Sequence, residues 1–338
     1  MTQGRAMARR NFWKGAMLLK GHRFRCRAGG RQLLIIPHKI WRLAARVFFM
    51  KKLLRKLIHR LGSPLIDDME LRLMNEAAAQ KVLVQQYRQM AASGLAALPD
   101  LADVGFRKFS QFEEDGILLY LFSLIKPINR TCVEICAGNG RECNTANLII
   151  NHGWWGHLFD GSPENVNEGR AFYARNKSTF QYPPRFTQAW ITAENVNELI
   201  ASSGASGPVD LLSLDIDGMD YWVWKAISVI DPQVVVCETH NAIPPDKALT
   251  VPYDPNFVYQ SPYFRGASLA AMVKLGKEKG YRLIGTHRYG FNAFFMKNGV
   301  GEAYFPEVEP AACLQDPFSQ QSCREGWPEA SKFPWVEL

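Results

Sequence analysis

From Ser110 onward, short runs of aliphatic and β-branched residues alternate with segments whose apolar positions recur every three or four residues. That alternation predicts a parallel sheet covered by helices on both faces. Strands are expected at 132–137, 157–160, 185–191, 210–215 and 233–238, with helices between them. A Pro-rich loop, a helix near 268–279 and a closing pair of strands at 281–286 and 292–297 complete the set. Five strands with crossovers, then a helix and two final strands, is the element order of a Rossmann-like α/β domain. The domain is expected to span 110–300, with a mostly parallel seven-stranded sheet.

Upstream, Ser63 and Pro64 read as an N-cap and first helical position, with Asp67, Asp68 and Glu70 suiting the positive end of a helix dipole. A helix is expected from there to Ser93, ending at Gly94, within a helical segment 62–109. Residues 40–61 carry Ile40, Ala44, Val47, Leu54, Leu57 and Leu61 near one helical face and five Lys or Arg from Lys51 to Arg60 around it. This composition suits a helix lying on an anionic membrane surface, and equally a solvated tail or a targeting segment. Met50-Lys51-Lys52 also resembles a bacterial start, so translation is expected to begin there. After the domain, residues 301–338 are Pro-rich and aromatic and are expected to be irregular.

Charge changes this picture in one respect. The chain of 338 residues has a formal net charge of +8, but residues 1–60 hold 17 Lys and Arg and no acid, which leaves 23 basic and 32 acidic residues beyond them. The body is therefore acidic, and a nucleic-acid partner for it loses its electrostatic footing. Seven cysteines without a CxxC pair indicate neither a disulfide framework nor a zinc ribbon, so a reducing cytoplasm is expected. No apolar run is long enough to span a bilayer, and any membrane contact is expected to be peripheral, at the inner surface.

Candidate chemistry gathers where strands should exit the sheet. Glu134 to Gly140 is a strand followed by a glycine turn and a helix beginning near Asn144. Gly138 and Gly140 let backbone approach a ligand closely, and the helix offers free N–H groups. Glu134 suits the amine of a methionine moiety; a dinucleotide site would want a third glycine, and position 143 is Cys. Asp160-Gly161, 20 residues after Gly140, suits the two hydroxyls of a ribose, or else a helix cap shared with Ser162. Asp215, Asp217 and Asp220 form an acidic cluster that needs a cation, a positive ligand or a shared proton. Glu238, His240 and Asn241 end the next strand: His240 is the best-placed general base, while Asp217, Glu238 and Asn241 are candidate oxygen ligands for Mg²⁺. The loop 242–265 interleaves five prolines with five Tyr or Phe and is expected to cover substrate.

The chain resembles the FkbM-type family of S-adenosylmethionine (SAM)-dependent methyltransferases, particularly members associated with surface polysaccharides. The resemblance rests on Ser110-Gln111-Phe112-Glu113-Glu114-Asp115-Gly116, Glu134 to Gly140 with Glu142 to Thr145, Gly153-Trp154-Trp155-Gly156, Asp215-Ile216-Asp217-Gly218 and Gly266-Ala267-Ser268. It covers a little over half the chain. It implies a class I methyltransferase fold, SAM as cofactor, and transfer of a methyl group, commonly to a hydroxyl of a sugar or glycan. Glu134, Gly138, Gly140, Asn144, Asp160, Gly161 and Asp215 are the implied cofactor contacts, and His240, Asp217 and Asp115 the catalytic candidates. Position 136 departs from the class in carrying Cys where Gly is usual, which is expected to narrow the methionine pocket. An NAD(P)-dependent oxidoreductase and a non-catalytic module at a membrane-associated glycan assembly are the competing readings. Self-association into a homo-oligomer is a further expectation, through the helix ending at Ser93.

Overall fold

The computed structural model describes residues 77–94 and 98–338. The basic segment, the Met50 start and residues 40–61 lie outside them. Residues 77–93 are helical, and Gly94 ends the helix at φ +125°.

Seven strands form one sheet: β1 Thr131–Ile135, β2 Trp155–Asp160, β3 Arg185–Gln188, β4 Gly207–Leu214, β5 Ile230–Glu238, β7 Tyr281–Thr286 and β8 Asn292–Lys297, in spatial order β3-β2-β1-β4-β5-β8-β7. A separate two-stranded sheet pairs β6 Leu249–Thr250 with β9 Val336–Glu337. The first five strands are parallel, and β8 runs antiparallel to both β5 and β7. This is a Rossmann-like α/β sheet, mostly parallel and seven-stranded, as the element order predicts.

Side chains alternate across a strand, so a sheet covered on both faces needs apolar residues at nearly every position. Val133, Ile135, Leu212, Leu214, Val235, Cys237 and Phe295 face one apolar layer; Cys132, Leu211, Val234, Val236, Phe294 and Met296 face the other. Helices Val196–Ser202, Asp220–Ala226 and Leu269–Glu278 cover the first face. Helices Glu114–Leu124, Ala146–His152 and Pro163–Arg175 cover the second.

After β3 the chain returns so that β4 pairs with the free side of β1, Ile135 beside Leu214. The crevice beyond the carboxyl ends of β1 and β4 is thus the topological switch point, where ligands of open α/β sheets bind.

Residues 301–338 are not irregular. Pro310–Cys313 and Pro317–Ala330 are helices, and Val336–Glu337 is a strand. Pro310 and Pro317 each occupy a first helical position, where the missing N–H costs nothing, and Asp316 Oδ1 accepts from Phe318 N at 2.8 Å. These prolines start helices instead of preventing them.

Candidate functional site

Four strand ends meet at the carboxyl rim. Cys136 follows β1, Asp160 ends β2, Asp215 follows β4 and Glu238 ends β5. Burial pushes the Cys136 thiol up, and the carboxylates of Asp220, Asp160, Asp215 and Asp217 push it further. Asp160 at the end of β2 and Asp215 after β4 flank the turn after β1, because β2 and β4 pair with β1 on either side.

That turn is built on left-handed backbone at Cys136 (φ +62°), Gly138 (φ +56°) and Gly140 (φ +70°). Cys136 therefore occupies a conformation that glycine adopts without steric cost, which is the physical reason a glycine is expected there. A Cβ on Gly140 would stand 2.8 Å from the rings of Tyr173 and Phe186, whereas one on Gly138 would meet nothing within 4 Å. Glu134 is turned inward. Its Oε1 accepts from Asn144 N at 2.8 Å and its Oε2 from Thr145 N at 2.9 Å, so it caps the start of helix Ala146–His152. The Asn144 side chain donates to Ser213 Oγ at 3.1 Å. Both residues hold the glycine turn in position and stand beneath the crevice.

At the end of β2, Asp160 Oδ1 accepts from Ser162 N at 2.8 Å and Asn165 Nδ2 at 3.1 Å. Ser162 caps the following helix through Asn165 N, so Asp160 shares in the cap and still lies at the rim. A Cβ on Gly161 would lie 3.3 Å from the ring of Trp190, whose indole is exposed.

The acidic exit from β4 divides into two roles. Asp220 is fully buried, with Oδ1 accepting from Ile216 N at 2.9 Å and Oδ2 from Gly218 N at 3.2 Å, and it ties the turn together. Asp215 and Asp217 remain, and carboxylate oxygens of these two and Glu238 lie within 4.8 Å of one another. Burial, followed by the charges of Glu238, Asp220 and Asp217, holds the Asp215 carboxyl well above the usual carboxylate range. Arg265, from the Pro-rich loop, supplies the opposing charge: it is ion-paired with Glu238 and lies 3.4 Å from Asp217 Oδ1. It also sits over the ring of Tyr259, 5.9 Å from its centroid. Burial raises Glu238 to about 7 in spite of Arg265. Of the expected metal ligands, Asp217 and Glu238 are together. Asn241 is committed elsewhere, its Nδ2 donating to Tyr289 O and its Oδ1 accepting from Ser322 Oγ, both at 2.8 Å.

A cavity of about 520 Å³ opens on this cluster, lined among others by Gln111, Phe112, Tyr259, Tyr263 and Arg265. Three buried polar atoms of its lining have no partner: Glu238 Oε2, His240 Nε2 and Asn292 Oδ1. Burial, with Arg265 adding to it, lowers His240 to about 4, so its ring is neutral at physiological pH. Gln111 and Phe112 reach the cavity because of the motif around them. Asp115 Oδ2 gathers the N–H groups of Lys108, Phe109 and Ser110 at 2.6–2.8 Å, and Glu114 Oε1 accepts from Asn292 Nδ2 at 2.7 Å. Gly116 leaves room for the 104–106 backbone, which a Cβ would meet at 2.3 Å. Asp115 is buried and does not line this cavity. Arg265 and Asn292 went unread in the sequence, and Gln111 entered only as part of the Ser110 to Gly116 motif; an arginine between Phe264 and Gly266, in a loop rich in aromatics, was the available signal for the first.

No protein-family profile matches the chain, and no curated protein is similar to it. Solved structures similar in fold include an S-adenosylmethionine-dependent methyltransferase from Clostridium acetobutylicum, at 12% identity over 51% of this chain and 86% of that one, TM-score 0.33. A methyltransferase from Streptomyces caelestis has 14% identity over 59% and 96%, TM-score 0.37. The magnesium protoporphyrin IX methyltransferase of Synechocystis, with bound SAM, has 12% identity over 68% and 83%, TM-score 0.32. At these identities and scores the similarity says nothing about activity.

Proposed function

We propose that this chain transfers a methyl group from SAM to a hydroxyl of a sugar, a glycan or a related polyhydroxylated metabolite. The observation that carries this reading is the acidic rim at the switch point: Asp215, Asp217 and Glu238 with carboxylate oxygens within 4.8 Å of one another, and Asp160 at the end of β2. A sulfonium that also carries an ammonium and a ribose suits such a rim. The pyrophosphate of a dinucleotide would be repelled by it.

The turn at Gly138 leaves open space beside the backbone, where SAM would approach; Asp160 would hold its ribose hydroxyls and Asp215 its cationic end. Bound there, SAM supplies an electrophilic methyl group. The residues of the cavity then have to hold a hydroxyl in line and take its proton. Glu238 Oε2 is an unpartnered acceptor, and His240 Nε2 an unpartnered donor, because Nδ1 of the neutral ring accepts from Ala242 N. With His240 held near 4 and Glu238 near 7, the hydroxyl gives its proton to Glu238, and His240 orients it by donating Nε2–H to its oxygen. Asn292 Oδ1 would take a second hydroxyl. Arg265 supplies one positive charge against the three carboxylates of Asp215, Asp217 and Glu238, so a cationic ligand is still favoured there.

Titration calorimetry with SAM, S-adenosylhomocysteine and NAD tests the cofactor class: the first two are expected to bind and NAD to be silent. Asp160→Asn keeps an acceptor for Ser162 N but loses the anion, and should weaken S-adenosylhomocysteine by about tenfold, the loss of one charge-assisted contact. Binding of NAD alone, or of none of the three, overturns the reading.

A further inference from the structure

A second groove, of about 500 Å³, lies at the other end of the sheet, where helix 77–93 meets the segments leading into β1 and β2. Arg130 directly precedes β1, and Gly153 and Trp154 precede β2, so this groove is at the amino ends of strands whose carboxyl ends carry the acidic rim.

Its floor is apolar and rigid. Leu119, Phe122, Leu148 and Trp154 line it, all buried, and the rings of Phe122 and Trp154 pack edge to face with centroids 4.6 Å apart. Its rim is cationic. Lys81 and Arg88, two turns apart on one helix, and Arg130 across from them are exposed. One wall is pinned by an amide network: Gln80 Nε2 donates to Asn147 Oδ1 at 3.1 Å, Asn147 Nδ2 to Gln80 Oε1 at 3.0 Å, and His152 Nε2 shares that oxygen at 2.7 Å.

Among the described residues no acid lines this groove. The three stretches that build it, 77–94, 116–133 and 143–159, contain no Asp or Glu at all. Asp210, beneath the turn at 128–131, is fully buried, and its oxygens accept from the N–H groups of Ile128, Asn129 and Thr131. Arg88 gives its Nε to Ser123 O, which leaves its other donors for a ligand. His152 is held at about 4 by burial and by Lys81 and Arg130, so it adds no charge near neutrality.

We propose that this groove binds the phosphate head of an amphiphilic ligand, with the phosphate among Lys81, Arg88 and Arg130 and the apolar body against Phe122 and Trp154. Three cations on one rim exceed what a single carboxylate balances. A phosphate brings up to two negative charges and three acceptor oxygens, and the guanidinium groups match it with paired donors. The apolar floor selects a phosphate attached to hydrocarbon or to a ring over the free ion. The proposal is independent of the methyl-transfer reading, because the two sites share no residue.

The test is a site-resolved footprint on the full-length protein. Lys81 is acetylated with acetic anhydride and read by peptide mass spectrometry, with Lys225 and Lys247 as reference lysines. A short-chain phosphatidic acid below its micelle concentration is expected to slow the acetylation of Lys81 selectively. Arg130→Gln and Arg88→Gln, both at exposed positions, should each raise the concentration needed for protection by about tenfold, as expected for losing a charge-assisted contact. Inorganic phosphate and phosphatidylcholine vesicles with and without phosphatidic acid separate the sources. Protection by phosphate at equal concentration supports the anion site with a free ion as ligand, and protection by acidic vesicles supports a membrane headgroup. Equal slowing at all lysines, no slowing with any probe, or protection that survives both substitutions overturns the proposal.

Discussion

His240 shows how one buried ring couples folding to proton uptake. Its side chain is 5% exposed and its folded value is about 4, against an ordinary 6.5. Between those two values the unfolded chain binds a proton that the folded chain refuses, so acidification through this window destabilises the fold and the stabilisation is complete above 6.5. The size of the effect is roughly 2–3 kcal/mol. Glu238 works in the opposite sense, holding a proton in the folded state between its ordinary 4.5 and about 7. Comparing His240→Gln with the parent chain at each pH isolates the histidine. In urea unfolding, the stability difference between parent and variant should shift against the parent as pH falls from 6.5 to 4. A difference that is flat across that window would mean the ring is solvated and titrates normally.

At the scale of elements, the turn between β1 and helix Ala146–His152 separates two glycines that look alike in sequence. Gly140→Ala combines a left-handed φ of +70° with ring atoms at 2.8 Å, and is expected to cost about 2–4 kcal/mol of stability. Gly138→Ala has the same kind of backbone penalty but an open surround, and should cost only about 1 kcal/mol. Its added methyl enters the space assigned to the cofactor, so it should weaken S-adenosylhomocysteine more than it lowers Tm. Calorimetry and thermal unfolding of the pair distinguish the two roles; equal stability losses would refute the difference in packing.

At the scale of the whole described molecule, the last 29 residues close one side of the cavity lined by Asp215, Asp217 and Glu238. Ser322, Glu325 and Gly326 line it, Trp335 lies with its ring centroid 5.9 Å from that of His240, and Phe333 stacks on Phe264 at 4.9 Å. Leu338 N donates to Ala248 O at 3.0 Å, beside the pairing of β9 with β6. Truncation after Glu309 is therefore expected to lower Tm by several degrees, at about 2–4 °C per kcal/mol for a domain of this size. It should also speed the reaction of His240 with diethyl pyrocarbonate. An unchanged rate at His240 in a folded truncated protein would show that the tail does not wall the site.

How much of this was legible beforehand follows from which interactions are local. The strands at 281–286 and 292–297 were readable to the residue, because the short apolar stretches Leu283-Ile284 and Ala293 to Met296, bounded by Gly280 and by the turn 287–291, leave little freedom in placing them. The expectation that Glu134, Asp160 and Asp215 gather at one rim follows from parallel strands joined by right-handed crossovers; Asp160 and Asp215 stand at strand ends as that argument requires, and Glu134 does not. The aim of Glu134 was not readable. Whether a carboxylate at the end of a strand meets a ligand or caps the next helix depends on where that helix starts, and here it begins two residues later than expected, at Ala146. The tail misled because proline, costly in most helix interiors, favours helix starts as at Pro310 and Pro317, and even Pro328 is accommodated in the last turns of its helix; composition alone does not separate these positions.

By itself, then, the order of apolar and polar residues along this chain determined the layers, the strand sequence and the rim where chemistry gathers, because burial of both sheet faces constrains every position in a strand. The tertiary structure decided which cations answer which acids. Arg265 reaches Glu238 across 27 residues, and Lys81 joins Arg130 across 49. Electrostatic pairing acts through space and leaves no periodic trace in sequence, so both the balance of the acidic cavity and the cationic groove behind it emerge only on folding.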